Sequence, residues 1–162
     1  MKVQVLSKGE QTRERILDIA QDAVLAKGFA GTSLDEIIAE AGITKSGFFY
    51  HFKDKNDLAK ALLQRYLDNE WTVFDSLFKQ ADELSDDPLH SFLIFLKLFA
   101  DVVSDLPNGH PGCLVASYVY QDHLFSAEVR AMSGEGHRIW RRRFRERLDA
   151  IAGRYPPRIE VN

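Results

Sequence analysis

The sequence predicts an all-α protein, with a small N-terminal helical module followed by a larger helical region. Three observations lead there. Apolar residues recur at spacings of three and four almost throughout. Ser, Thr and Asp stand where helices would begin, and glycine and proline punctuate the apolar runs. No internal repeat or low-complexity tract interrupts the pattern.

Taken in order, Ile16, Ile19, Ala20, Ala23 and Val24 mark one face of a helix from about Thr12 to Lys27, and Gly28 supplies its stop. Ser33 stands three residues before Glu36, the spacing of a capping box, and opens a short helix from Leu34 to Ala41. Gly42 breaks that helix. Thr44 is placed to cap another short one ending near Phe52, and Asp54 to cap the next. From Lys55, the positions Leu58, Leu62, Tyr66, Trp71, Phe74, Leu77 and Phe78 define a helix too long for the small module alone, so it is expected to bridge two modules. The run "DELSDDP" reads as a loop, Leu89 to Val103 as a strongly apolar helix, and "DLPNGHPG" as a second loop. A sixth helix is expected over about Cys113 to Asp122 and a seventh over Ala127 to Arg154, with Gly134 and Gly136 as its weak points. The expected division is residues 1–54 and 55–162.

A chain of 162 residues with 45% hydrophobic content can bury a core. Its net charge of -3 argues against coating nucleic acid or membrane, so any polyanion-binding surface must be a local patch. The single cysteine, Cys113, leaves no internal disulfide and fits a reducing compartment. The N-terminus turns charged before any apolar run suits a signal peptide, and no stretch offers roughly 18 apolar residues, so a cytoplasmic protein without membrane anchor is expected. An enzyme would need a nucleophile with its base, a metal set or a phosphate loop. G-x-S-x-G, H-E-x-x-H and Walker-type patterns are all missing from the sequence, and His90, His123 and His137 lack a metal-ligand spacing. No catalytic residue, metal or cofactor is expected.

The stretch "EAGITKSGFFYHFKDK", Glu40 to Lys55, carries the functional signal. Two short helices joined through a glycine, with apolar residues on their mutual faces, form a helix-turn-helix that can set its second helix in a DNA major groove. Leu34, Ile37, Ile38 and Ala41 form the inward face of the first helix. Gly42 permits the turn and Ile43 plugs the gap. Phe48 and Phe52, four apart, point inward from the second helix. Lys45 and Phe49 then share the outer face, with Ser46 and Tyr50 beside them. Together with His51 they make a surface fit for phosphates, base edges and thymine methyl groups. Gly47 leaves room for close backbone approach. The bland alternative is that such a turn occurs in any helical bundle, and that a lysine beside aromatics is a solvated rim over core.

The residues "TRERILDIAQDAVLAKGFAGTSLDEIIAEAGITKSGFFYHFKDKNDL", Thr12 to Leu58, resemble the DNA-binding domain of TetR-family transcriptional regulators of the TetR/AcrR type nearly position by position, over roughly the first third of the chain. "KGFAGTSLDEIIAEAG" followed by "YHFKDKNDL" looks like the family signature. The resemblance implies a double-stranded DNA operator as partner. Thr44 and Tyr50 match positions that commonly touch backbone phosphate, Lys45 and Ser46 match positions near base edges, and His51 and Lys55 match phosphate contacts. Lys55 would add its charge to the helix N-terminus that follows. Phe49 departs from the family, which usually has tyrosine there; the change removes a hydroxyl contact to phosphate and leaves apolar contact.

The family further implies a homodimer on a palindromic operator, most often a repressor released by a small, largely apolar effector. Trp71, Phe74 and Phe78, with Phe92, Phe95, Leu96 and Phe99, give two aromatic stripes that could enclose such a molecule, and Cys113 and Tyr118 are further candidates. Ordinary core is the competing reading for each of them. Cys113 reads either as a small buried hydrophobe or as a thiol activated by His110 or a helix N-terminus. In "RIWRRRFRER", six arginines surround Trp140, Phe144 and Leu148, which are expected inward. A solvated basic face is the default there, salt bridges the next reading, and an anionic effector the third. Family members normally continue from the seventh helix into two more that form the dimer interface, whereas this sequence ends at "YPPRIEVN", as a truncated chain or as a short member that dimerises otherwise. The alternative function is a helical adaptor acting through protein partners without an effector.

Overall fold

The computed structural model describes residues 6–106 and 112–156. Its regular elements there are all helical: α1 (Lys8–Lys27), α2 (Leu34–Glu40), α3 (Lys45–His51), α4 (Lys55–Leu84), α5 (Pro88–Ser104), α6 (Leu114–Tyr120), a 3₁₀ turn (Asp122–Leu124) and α7 (Ala127–Arg154). None of these helices is long and apolar enough to cross a membrane.

Local capping chemistry sets the boundaries. The α1 helix begins at Lys8 rather than Thr12, because Ser7 and Glu10 form a capping box that the apolar spacing did not reveal. Asp87 caps α5, whose first residue is Pro88. The α6 helix is shorter than expected: Cys113 occupies its N-cap position without a side-chain cap bond, and Asp122 belongs to the 3₁₀ turn. The α7 helix runs unbroken through Gly134 and Gly136, so neither is a break. At Gly136 a Cβ would lie 3.0 Å from Leu67 Cδ2, so the missing side chain allows close packing.

The chain divides into two compact units. One is Met1–Tyr66 with Pro111–Ser133; the other is Leu67–His110 with Gly134–Asn162. In the first, Ile16, Leu17, Val24, Ile37, Phe48, Phe52, Leu58 and Leu62 are buried. Arg65 ties α4 to α1, donating to Asp18 at 2.7 Å, Glu14 at 3.1 Å and Gln21 at 3.2 Å. The Tyr118 hydroxyl of α6 donates to the Ala59 carbonyl at 2.7 Å.

The second unit is built on Phe74, Leu77, Phe78, Ala81 and Phe95, with Phe92, Ile94, Leu98, Phe99, Trp140 and Phe144 packed against them. Arg147 takes Asp82 with two nitrogens at 2.5 and 2.7 Å, and Ser91 donates to the same carboxylate at 2.6 Å. The Arg147 bond holds the Asp82 carboxyl below its ordinary range. Leu148 was expected inward with Trp140 and Phe144, yet it is 50% exposed, because the aromatic packing stops one turn earlier.

Candidate nucleic-acid interface

The α2 helix starts with a complete capping box: Ser33 Oγ accepts from the Glu36 amide at 3.2 Å, and Glu36 accepts from the Ser33 amide at 3.1 Å. The same Glu36 carboxylate accepts from Lys27 Nζ at 2.7 Å. With the Lys27 bond as the largest cause and the Ser33 amide next, its pKa falls from 4.5 to about 2. The turn is closed by Gly42 at φ +63°, a conformation that side chains rarely adopt. Its amide donates to the Ala39 carbonyl at 3.1 Å, and the Ile43 amide to the Ile38 carbonyl at 3.2 Å.

Thr44 caps α3, its Oγ1 accepting from the Gly47 amide at 3.1 Å and lying 3.1 Å from Ser46 Oγ. A Cβ at Gly47 would lie 3.3 Å from that Thr44 oxygen, so the glycine also keeps the cap unobstructed. Phe48 and Phe52 are fully inside, with ring centres 5.6 Å apart, and the Arg13 guanidinium carbon lies 5.2 Å from the Phe52 ring centre. The next two aromatics point the other way. Phe49 is 44% and Tyr50 83% exposed, and His51, half-buried, meets the Tyr50 ring edge-on at 5.0 Å.

Thr44, Lys45 and Ser46 are also exposed, and Lys45 reaches Asp35 at 3.5 Å. One face of α3 therefore collects Lys45, Ser46, Phe49 and Tyr50 in water. Lys55 is different: its Nζ donates to the Phe29 carbonyl at 2.8 Å, lies 4.6 Å from the Phe29 ring centre, and burial lowers its pKa. Its ammonium is already engaged.

Sequence reasoning missed what surrounds Phe29. That ring is buried against Phe125 at 4.6 Å and Tyr118 at 6.1 Å. The Gln121 side-chain oxygen accepts from the Phe29 and Ala30 amides at 2.9 and 3.3 Å. Gly28 sits at φ +75°, and a Cβ there would meet the Gln121 amide nitrogen at 2.9 Å. The glycine was legible as a helix stop, whereas Gln121 lies 92 residues from Phe29, with no local signal.

The candidate effector residues fall into two groups. Cys113 and Tyr118 belong to the first unit and Trp71, Phe74, Phe78, Phe92, Phe95 and Phe99 to the second. Burial pushes the Tyr118 hydroxyl pKa up. Cys113 is exposed rather than a buried hydrophobe, since it precedes the first buried turn of α6; His110 lies outside the described residues. The six aromatics of the second unit pack on one another and on Trp140. Ring centres lie at 3.9 Å for Phe78 and Phe95, 5.2 Å for Phe74 and Phe99, 6.0 Å for Phe92 and Phe95, and 6.4 Å for Trp71 and Trp140. A groove of about 770 Å³ in this unit is lined mainly by charges, among them Asp75, Lys79, Asp82, Glu83, Arg143 and Arg147. Among the described residues no three His, Cys, Asp or Glu side chains gather as a metal site.

Residues 16–62 match the sequence model of bacterial regulatory proteins of the tetR family. The HTH-type transcriptional regulator AcrR of Shigella flexneri is 43% identical over 51 residues, 32% of this chain and 24% of that protein. The HTH-type transcriptional repressor BepR of Brucella suis biovar 1 (strain 1330) is 34% identical over 98 residues, 58% of this chain and 46% of that protein. The chain thus spans a quarter to under half of these relatives' length. A TetR-family transcriptional regulator from Agrobacterium tumefaciens shares the fold, with a TM-score of 0.75 over 91% of this chain and 74% of that one at 18% identity. With the capped α2, the Gly42 turn and the two-faced α3 inside the matched segment, residues 16–62 form a DNA-binding domain similar to that of the TetR family of bacterial regulatory proteins.

Proposed function

We propose that this chain is a DNA-binding transcriptional regulator, acting as a homodimeric repressor that a small-molecule effector releases from a palindromic operator. The observation that carries this reading is the two-faced α3: Phe48 and Phe52 anchor it, while Lys45, Ser46, Phe49 and Tyr50 stand in water. An α-helix about 10–12 Å across with its side chains fits a major groove about 12 Å wide, and the seven residues of α3 at about 1.5 Å each extend roughly 10 Å within it. Lys45 and Ser46 would then approach base edges, Phe49 a thymine methyl, and Thr44, Tyr50 and His51 the phosphates. Gly47 would admit the backbone closely. Lys55 would join them after giving up the Phe29 carbonyl.

Base contacts at about 1–3 kcal/mol each cannot single out a genomic site from one copy, which is why the reading includes a dimer on half-sites roughly 34–36 Å apart. Residues 1–54 are the reader in this proposal and 55–162 the regulatory part, working in the cytoplasm. The effector would enter among Trp71, Phe74, Phe78, Phe92, Phe95 and Phe99, or beside Cys113 and Tyr118. Because those six rings fill one another's space, an apolar ligand must separate them, which couples its binding to a shift of α4. The family is one of regulators and not of enzymes, and BepR, the Brucella relative, is a repressor by name.

The test is selection from random duplex DNA by the purified chain near physiological salt, followed by sequencing. A recovered palindrome, lost with Lys45→Ala, supports the proposal. Retention without sequence preference refutes sequence-specific reading by α3.

A further inference from the structure

Six arginines lie between Arg138 and Arg147, and the structure sorts them into two sets. Arg143 pairs with Asp75 and its guanidinium carbon lies 5.4 Å from the Trp71 ring centre. Arg147 grips Asp82 and covers Phe78 at 4.4 Å. Both are satisfied by α4. The other four, Arg138, Arg141, Arg142 and Arg145, stand at i, i+3, i+4 and i+7, so they share one stripe about 10 Å long. All four are exposed, and together they line a cleft of about 420 Å³.

A solvated helix face ordinarily alternates charge sign at these spacings. Here the same-face pairs 138–141, 138–142, 141–145 and 142–145 are all arginine on arginine, an arrangement that opposes helix formation. Arg138 has Glu135 at 2.8 Å and Arg145 has Asp149 at 3.6 Å. For Arg141 and Arg142 no ion pair is found among the described residues. Glu146, four residues beyond Arg142, lines the groove of Arg143 and Arg147 instead. In a chain of net charge -3 this is a local reversal of sign.

We propose that the stripe binds a small polyphosphate, with Arg141 and Arg142 each taking a phosphate through two parallel N–H donors and Arg138 and Arg145 flanking them. The residue choice points to phosphate geometry: the helix contains no lysine, and only the planar guanidinium offers a fork matched to phosphate oxygens. The open space among the four side chains, about 420 Å³, leaves room for a small anion, and the stripe ends after two turns, short for tracking a nucleic-acid backbone. No residue of α1, α2 or α3 enters the site, so it stands or falls apart from the operator reading.

The experiment is a calorimetric titration of the full chain with tripolyphosphate at about 0.15 M salt, where weak surface charge effects are largely screened. One saturable site per chain is expected. The double variant Arg141→Gln, Arg142→Gln should weaken it by about tenfold or more without lowering the ligand-free melting point, since it relieves repulsion along the helix, and Arg141→Lys, Arg142→Lys should weaken it several-fold, since charge remains but the fork is lost. If the glutamine pair proved unstable, the lysine pair would supply the same comparison. Absence of saturable heat overturns the proposal, as does equal binding by both double variants. A loss of random-duplex affinity in the glutamine pair with tripolyphosphate binding unchanged also overturns it, assigning the stripe to DNA backbone.

Discussion

The two compact units use their aromatic residues in opposite ways. In the second, Phe74, Phe78 and Phe95 are each at most 6% exposed and packed ring on ring. In the first, α3 places Phe48 inside and its neighbours Phe49 and Tyr50 in water. Seven residues offer barely two turns, and one buried stripe is all such a helix needs to stay attached. Core packing therefore accounts for every ring in the second cluster and for only half of the Phe and Tyr rings from Phe48 to Phe52. The remaining half is what a partner would read.

The largest effect should come from Phe95→Ala, which removes a fully buried ring stacked 3.9 Å from Phe78. A loss of about 3–5 kcal/mol in a urea titration is expected, because the surrounding rings relax only partly into the cavity. Phe49→Ala should cost under about 0.5 kcal/mol in the same titration, as a surface change does, while weakening any selected operator. Comparable losses for the two variants would break the contrast between units.

Lys45→Ala sharpens the contrast within α3. Its side chain is 70% exposed and 3.5 Å from an Asp35 that is itself 83% exposed, so melting should barely change. Affinity for a selected operator should fall by about 1–3 kcal/mol if the lysine reads a base edge, and discrimination at that base should relax. A uniform loss on all sequences, with a shallower salt slope, would assign it to phosphate instead.

Gln121→Ala is expected to cost about 1–2 kcal/mol, since it leaves the half-buried Phe29 amide without its acceptor. Amide exchange should quicken at Phe29 and Ala30 but not in the second unit; no change would show that water replaces the glutamine. This contact also marks the limit of what the sequence disclosed. The α2 and α3 boundaries, the Thr44 cap and the bounds of α7 follow from neighbours within four residues, where spacing is informative. The inward turn of Lys55, the exposure of Leu148 and Cys113, and the grip of Gln121 on Phe29 each depend on a residue far along the chain or on where packing ends. The outer face of α3 was legible because a short helix with Phe48 and Phe52 fixed inward has its other residues fixed outward by geometry alone.

The smallest expected effect is a pH dependence confined to the first unit. Glu36 is exposed, yet Lys27 and the Ser33 amide depress its pKa from 4.5 to about 2. The folded state therefore binds this proton less readily than the unfolded chain does. The tie stabilises α2 fully above pH 4.5, and its contribution is lost as the pH falls toward about 2. A carboxyl-carbon NMR titration should place Glu36 near the lower value, and Lys27→Ala should move it up toward the ordinary one. Glu36→Gln should preserve the capping geometry while removing this residue's share of the acid sensitivity. A midpoint near 4.5 in the unaltered chain would mean that the Lys27 bridge does not persist in solution, leaving the Ser33 hydroxyl and the packing of Ile37 to hold the helix that supports α3.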